Sequence, residues 1–474
     1  MTHYQMLIGG EAVSTTKTMD VFNPATGKPF AQAPVSTAAD LDRAVAAAKT
    51  AFPQWRDTPY AERKKCVQRA AEVIGANADD LAKIFTEENG RPTEFGKQEI
   101  LGAAYWMGEL CKFEMPVDIT EDSPTRRIEV HREPMGVVCA LVPWNFPILL
   151  ASWKIAHATL TGNTIVLKPS PFTPLTTLKL GELLRDVFPP GVLNIITGGD
   201  ELGPMMTAHP GFAKITFTGS SATGKRIMES ASHDLKRISL ELGGNDAGIV
   251  MPDVDIDAIA QDLFFGCFIN TGQVCVATKR LYVHDKIYDQ VRDKLHGIAQ
   301  AMKVGVGTDA DTIFGPIQNL PQFKRVTNLL DDAKATGLKL LYGGPVPEGD
   351  GYFIPLTIVD NPPENSRVVV EEAFGPILPM MRFTDVDDVI ERANNTDYGL
   401  ASSVWSKDLD VAKSIASRLD AGTVFINSNP SVSTPGTPQS GHKKSGYGIE
   451  NGLAGLLEFT QMKAIYIPKP VPAA

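Results

Sequence analysis

Residues 214–226 read KITFTGSSATGKR. A short β-rich run, Lys214–Phe217, meets a glycine, and a stretch with helical spacing follows. Strand, tight turn, helix is the grammar of a parallel sheet covered by helices. Outward from this stretch the same alternation continues through GVVCALV (136–142), NTIVLK (163–168), GVLNII (191–196), RISLEL (237–242) and AGIVM (247–251). Helical patterns at Thr173–Val187 and Thr223–Ser232 separate some of these runs. The chain is therefore expected to be an α/β protein, with a second alternating region over about 252–445.

The glycine stretch itself has three readings. Gly219 and Gly224 stand with four residues between them, and Lys225 follows, which approaches a nucleotide-triphosphate loop. Position 226 is Arg where that motif needs the Ser or Thr that holds Mg²⁺, so an NTPase reading lacks its metal ligand. A dinucleotide pyrophosphate on the helix start needs no metal. A plain turn that uses glycine for its backbone angles is the third reading.

Bulk properties exclude several classes. The chain has 474 residues, 43% hydrophobic and 21% charged, with a net charge of −10 and no basic stripe, so nucleic acid is not an expected partner. No run approaches the roughly 18 apolar residues of a membrane span. The first residues, MTHYQMLIGGEAVSTT, lack a signal-peptide pattern. Five widely spaced cysteines without C-x-x-C, and eight histidines without H-x-x-x-H, predict neither disulfides nor a metal site; a reduced cytoplasm is the expected compartment.

Leu41, Val45, Ala48 and Phe52 recur at helical spacing behind Ser36 or Thr37 as cap. Segment 116–134 alternates around Ser123-Pro124 as a β-hairpin, and the tail LLEFTQMKAIYIPKP contains a final strand. Neither is large enough to bury its own face, so both predict contact with another subunit.

Three residues carry candidate chemistry. Cys275 follows the turn-prone run Asn270–Gln273, whereas Cys267 lies in the apolar run LFFGCFI and Cys66, Cys111 and Cys139 fall in helix or strand patterns that read as packing. An exposed, ionisable thiol is a nucleophile and a packed one is a small hydrophobe. Glu241 ends a strand ahead of Gly243-Gly244, where it reads either as a general base or as a solvated carboxylate. Asn145 in VPWNFP (142–147) offers an amide N–H to an oxyanion, or bonds its own turn. Together they make up a set for acyl chemistry through a covalent intermediate.

In its motifs the sequence resembles the aldehyde dehydrogenase superfamily over essentially the whole chain. These are PWNFP (143–147), KPS (168–170), FTGS with Gly219 and Gly224, ELGGN (241–245), GQVC (272–275), EEAFGP (371–376) and KKSGYG (443–448). The resemblance implies Cys275 as nucleophile, Glu241 as base for the deacylating water, Asn145 with the Cys275 N–H as oxyanion hole, and Lys154 in proton transfer. It implies dinucleotide contacts at Trp144, Lys168, Ser170, Gly219, Ser220, Gly224, Leu242, Glu372 and Phe374. A substrate pocket is expected from Phe146, Trp153, Val274, Val276 and Gln439. The implied reaction oxidises an aldehyde to the acid with NAD or NADP through a thiohemiacetal and a thioester; a CoA-acylating semialdehyde dehydrogenase is the alternative. Implied organisation is a Rossmann-like dinucleotide-binding domain (1–115 and 135–242), an α/β catalytic domain (243–445), and a β oligomerisation extension (116–134 and 446–474). A homodimer or homotetramer is expected.

Three positions depart from the family pattern. Pro171 replaces a glutamate that binds the adenosine ribose in NAD-preferring members, so NAD stays the first expectation and NADP open. The loop SNPSVSTPGTPQSGHKKSG (428–446) is polar, with Gln439 at a common Phe, which predicts an aldehyde with a polar group away from its carbonyl. Gln461 replaces a C-terminal glutamate, which removes that residue from any proton relay.

Overall fold

The structure is a computed structural model and describes residues 4–430 and 433–470. Its main sheet runs in the order Glu11–Val13, Met6–Ile8, Leu193–Ile195, Thr164–Lys168, Val137–Leu141, Lys214–Thr218, Arg237–Glu241, Gly446–Tyr447. The five central strands are parallel. From Val137–Leu141 the chain steps outward through two strands on one side, then returns to place Lys214–Thr218 on the other side. That reversal is a topological switch point, the place where open α/β sheets bind ligands beyond their carboxyl ends. Strands Val137–Leu141, Thr164–Lys168 and Lys214–Thr218 are buried on both faces, as their continuous apolar runs require.

A second sheet has the order Lys339–Tyr342, Thr357–Asp360, Ile377–Phe383, Thr278–His284, Asp246–Val250, Ala401–Trp405, Thr423–Ile426. All but its first pair are parallel. The peptide Leu242–Asn245 links the carboxyl end of strand Arg237–Glu241 to the amino end of strand Asp246–Val250. Carboxyl edge of the first sheet and amino edge of the second therefore meet around residues 241–246.

Helix Ala38–Asp57 starts on a capping box between Thr37 and Asp40. Helix Thr93–Leu110 buries Ile100, Ala103, Met107 and Leu110, a spacing that keeps one face on its neighbours. Pro147 opens helix Pro147–Leu160, where proline costs no hydrogen bond. A three-stranded antiparallel sheet pairs Asp118–Asp122, Arg126–Pro134 and Thr460–Pro468, joining the hairpin to the tail strand. Residues 446–459, read with the tail, divide from it: Gly446–Tyr447 pairs with the main sheet, and Leu456 and Phe459 sit in its core.

Candidate active site

Cys275 ends a turn of unusual backbone. Asn270, Thr271 and Gly272 all lie in the left-handed region, with φ of 52°, 56° and 73°. Each non-glycine residue there costs on the order of 1–2 kcal/mol. Surrounding bonds hold the turn. Thr271 Oγ1 donates to the Gly315 carbonyl at 3.0 Å, Gln273 Nε2 to the Asn270 carbonyl at 3.0 Å, and Gln318 N to Gln273 Oε1 at 2.9 Å. At Gly272 a Cβ would stand 2.2 Å from the Gly375 carbonyl oxygen, so no side chain fits.

The turn sets Cys275 apart from the other cysteines. Cys111, Cys139 and Cys267 are buried; Cys275 and Cys66 are half-buried, and all five are free thiols. Thr278–His284 begins just after Cys275, so the thiol stands at the amino end of its strand, while Lys168, Gly219 and Glu241 stand at carboxyl ends. Desolvation pushes the Cys275 thiol well above its ordinary pKa, the charge of Glu241 adds to this, and Lys279 opposes it. Lys279 Nζ donates to the Cys275 carbonyl at 2.5 Å and lies 3.7 Å from Glu372.

Asn145 is brought against the same turn: its Nδ2 donates to the Gln273 carbonyl at 3.0 Å. That bond uses one amide hydrogen and fixes the direction of the other. Glu241 is buried, and its Oε2 has no hydrogen-bond partner among the described residues. Burial raises its carboxyl well above the usual range, Glu450 raises it further, and Lys154 opposes.

Lys154 Nζ donates to Glu450 Oε1 at 2.5 Å and to Thr216 Oγ1 at 3.0 Å. Gln461, discounted for a relay on its sequence, is exposed on the tail strand, its Nε2 donating to the Pro134 carbonyl. Glu450 supplies the buried charge instead, and no local motif announced it.

Trp144, Lys168, Ser170, Gly219 and Ser220 stand at or just beyond the carboxyl ends of the strands that flank the switch point. Lys168 is buried, with a single hydrogen bond among the described residues, 3.3 Å to the Pro169 carbonyl, and burial pulls its amine down to about 8. Ser170 accepts from Phe172 N at 3.3 Å. Ser220 caps helix Ser221–Ser232, and Gly219 precedes it. Gly224 lies inside that helix, not in a loop; a Cβ there would come within 2.7 Å of Leu242. A triphosphate cradle is thereby excluded, since Gly224 and Lys225 are already helical. Its role is close helix packing, which brings free N–H groups of the helix start to the crevice. Glu372 accepts from Gly244 N at 3.1 Å, and Trp144 meets Phe374 edge-on at 5.4 Å. A buried lysine with spare donors, a free helix start and a carboxylate fit a dinucleotide's ribose, pyrophosphate and second ribose.

A cavity of about 220 Å³ lies against Asn270 and Thr271 of the turn and is bounded further by Phe95, Trp106, Phe146, Leu149, Phe265 and Ile269 among others. Of the five expected pocket residues only Phe146 lines it. Trp153 is buried and packs against Trp106 with ring centres 4.9 Å apart and planes tilted by 32°; Val274 is buried and Val276 half-buried. Gln439 turns inward instead, exchanging backbone bonds with Glu450 and accepting from Asn451 Nδ2 at 3.2 Å. The expected polar mouth is thus not what bounds this cavity; Ser431 and Val432 of that loop lie outside the described residues. Among the described residues no cluster is arranged to hold a metal, and no helix is long and apolar enough to cross a membrane.

A half-buried thiol at Cys275, the buried carboxylate of Glu241 and the Asn145 amide lie beside the switch point of a parallel sheet, an arrangement suited to an oxidoreductase. Residues 12–465 match the model of the aldehyde dehydrogenase family, and the chain belongs to that family. It is 40% identical over 470 residues to aldehyde dehydrogenase LUC3 of a Fusarium species, covering 99% of each chain. It is 37% identical to phenylacetaldehyde dehydrogenase of Pseudomonas fluorescens, over 98% of this chain and 96% of the other. The NAD⁺ complex of a Bacillus cereus aldehyde dehydrogenase superposes with a TM-score of 0.94 at 34% identity, covering 98% of this chain and 97% of that one. Oxidation of an aldehyde to its acid is accordingly the reaction of this enzyme.

Proposed function

We infer that the enzyme oxidises aldehydes with an apolar, flat or branched tail, using NAD, with Cys275 as nucleophile, Glu241 as base and Asn145 as oxyanion donor. The observation that carries this reading is the bond from Asn145 Nδ2 to the Gln273 carbonyl, which ties the amide to the thiol's own turn. The Cys275 thiol loses its proton to solvent, its sulfur adds to the aldehyde carbon, and the C=O π electrons move to the oxygen, which becomes an alkoxide. The second amide hydrogen of Asn145, with the Cys275 N–H, stabilises that charge. A bound nicotinamide supplies the hydride acceptor. Glu241 then takes a proton from water, the hydroxide attacks the thioester carbon, and the acid leaves as Cys275 recovers its sulfur. The Glu450 carboxylate, paired with the Lys154 ammonium, receives that proton in turn.

Glu241 favours hydrolysis over transfer to CoA, because a base is present for water. Lys168, Ser170, Ser220, Glu372 and the Trp144–Phe374 pair hold the cofactor. Pro171 places no carboxylate against a 2′-phosphate, so NADP is accepted with lower efficiency. The aromatic cavity supports the aryl or branched tail. Exposed Met462 and Tyr466 on the tail strand and Ile119 on the hairpin supply an apolar face for a second copy, consistent with a homodimer or homotetramer. Five free thiols fit a reducing cytoplasm. Catalytic efficiencies for an aldehyde panel with NAD and NADP test this: arylacetaldehydes should exceed acetaldehyde by about tenfold or more. Superior turnover of small polar aldehydes would refute the tail assignment.

A further inference from the structure

Arg91 stands outside every motif above, yet its guanidinium joins three parts of the site. Its Nη2 donates to the Asn145 carbonyl at 2.5 Å, its Nε to Asn270 Oδ1 at 3.0 Å, and its Nη1 to Glu99 Oε2 at 2.5 Å. Asn270 Nδ2 in turn reaches the Asn145 carbonyl at 3.2 Å and the Gln273 carbonyl at 3.3 Å. The other oxygen of Glu99 accepts from Ile148 N and Leu149 N, at 3.0 and 3.1 Å, at the start of the helix that carries Lys154. Phe146 lies beneath the guanidinium, 4.3 Å from ring centre to carbon. Arg91 and Glu99 are buried.

We propose that Arg91 is a positioning residue, whose planar fork holds the Asn145 peptide and the left-handed Asn270 in one register and so aims the Asn145 amide at the oxyanion. This rests on the reading of Asn145 as oxyanion donor. Lysine keeps the charge but not the fork, so it cannot satisfy three acceptors in one plane. A misaimed amide leaves cofactor binding intact and weakens the transition state alone.

The test is a double-mutant cycle. Arg91→Lys should lower kcat about 30-fold while the KM for NAD stays within about twofold. In the Asn145→Ala background the same change should cost less than about threefold, because no amide remains to be aimed. Since losing the fork strains the buried Glu99, Asn270→Gly provides a second variant that leaves Arg91–Glu99 whole and tolerates the positive φ; it should show the same dependence on Asn145. Equal losses in both backgrounds, or no loss in either variant, overturn the proposal. Full turnover by Asn145→Ala alone would instead overturn the reading of Asn145 itself.

Discussion

Lys154 and Glu450 form a buried ion pair, Nζ to Oε1 at 2.5 Å, with side chains 1% and 7% exposed. Removing one partner strands the other charge away from water, which costs about 3–5 kcal/mol. Lys154→Met and Glu450→Leu should each lower the thermal midpoint, and the double variant should lower it less than either. Differential scanning fluorimetry reads this, and additive losses would contradict it.

The same pair sets the pH dependence. Glu241 must be ionised to accept a proton, and burial has raised its pKa, so acyl-enzyme hydrolysis should rise with pH through a limb above the usual carboxylate range. Lys154 lowers that pKa and Glu450 raises it. Lys154→Met should therefore move the limb to higher pH and Glu450→Gln to lower pH. Stopped-flow hydrolysis rates across pH decide it; shifts in one common direction would contradict the assignment.

Glu88 gives a stability test remote from the thiol. It is fully buried, caps helix Leu175–Leu184 by accepting from Leu175 N and Thr176 N, and burial pushes its carboxyl up to about 7. A raised folded-state pKa means that stabilisation is complete below the unfolded value and fades as pH climbs to about 7. The advantage of the wild type over Glu88→Gln should accordingly shrink by about 3 kcal/mol from pH 4.5 to 7. Melting curves at several pH values check this, and a gap that widens with pH would contradict it.

Gly102 faces the cavity, and a Cβ there would meet nothing within 4 Å. Gly102→Leu should fill the space, cutting kcat/KM for arylacetaldehydes about tenfold while acetaldehyde is nearly unaffected. Equal losses for both would place the tail elsewhere.

What the sequence disclosed depended on how local each signal was. Strand-to-helix alternation, Thr37 as cap and the 116–134 hairpin are short-range patterns, and the structure places them as read. Arg91, Glu99, Lys279 and Glu450 escaped because their meaning lies in partners distant in sequence, such as Asn145 for Arg91 and Lys154 for Glu450. Gly224 misled for the opposite reason. A glycine at loop spacing turned out to be helical, placed there so that Leu242 can pack closely. The left-handed turn before Cys275 was visible only as turn-prone residues; its constraint on Gly272 comes from the Gly375 carbonyl, a hundred residues downstream.

The central claim is a covalent adduct on Cys275 that Glu241 clears. Glu241→Gln enzyme mixed with phenylacetaldehyde and NAD should release one equivalent of NADH per active site in a rapid burst and then stall. Mass spectrometry of the quenched protein should find the acyl group on the peptide that contains Cys275. A burst without an adduct, or an adduct on any other residue, would contradict the account.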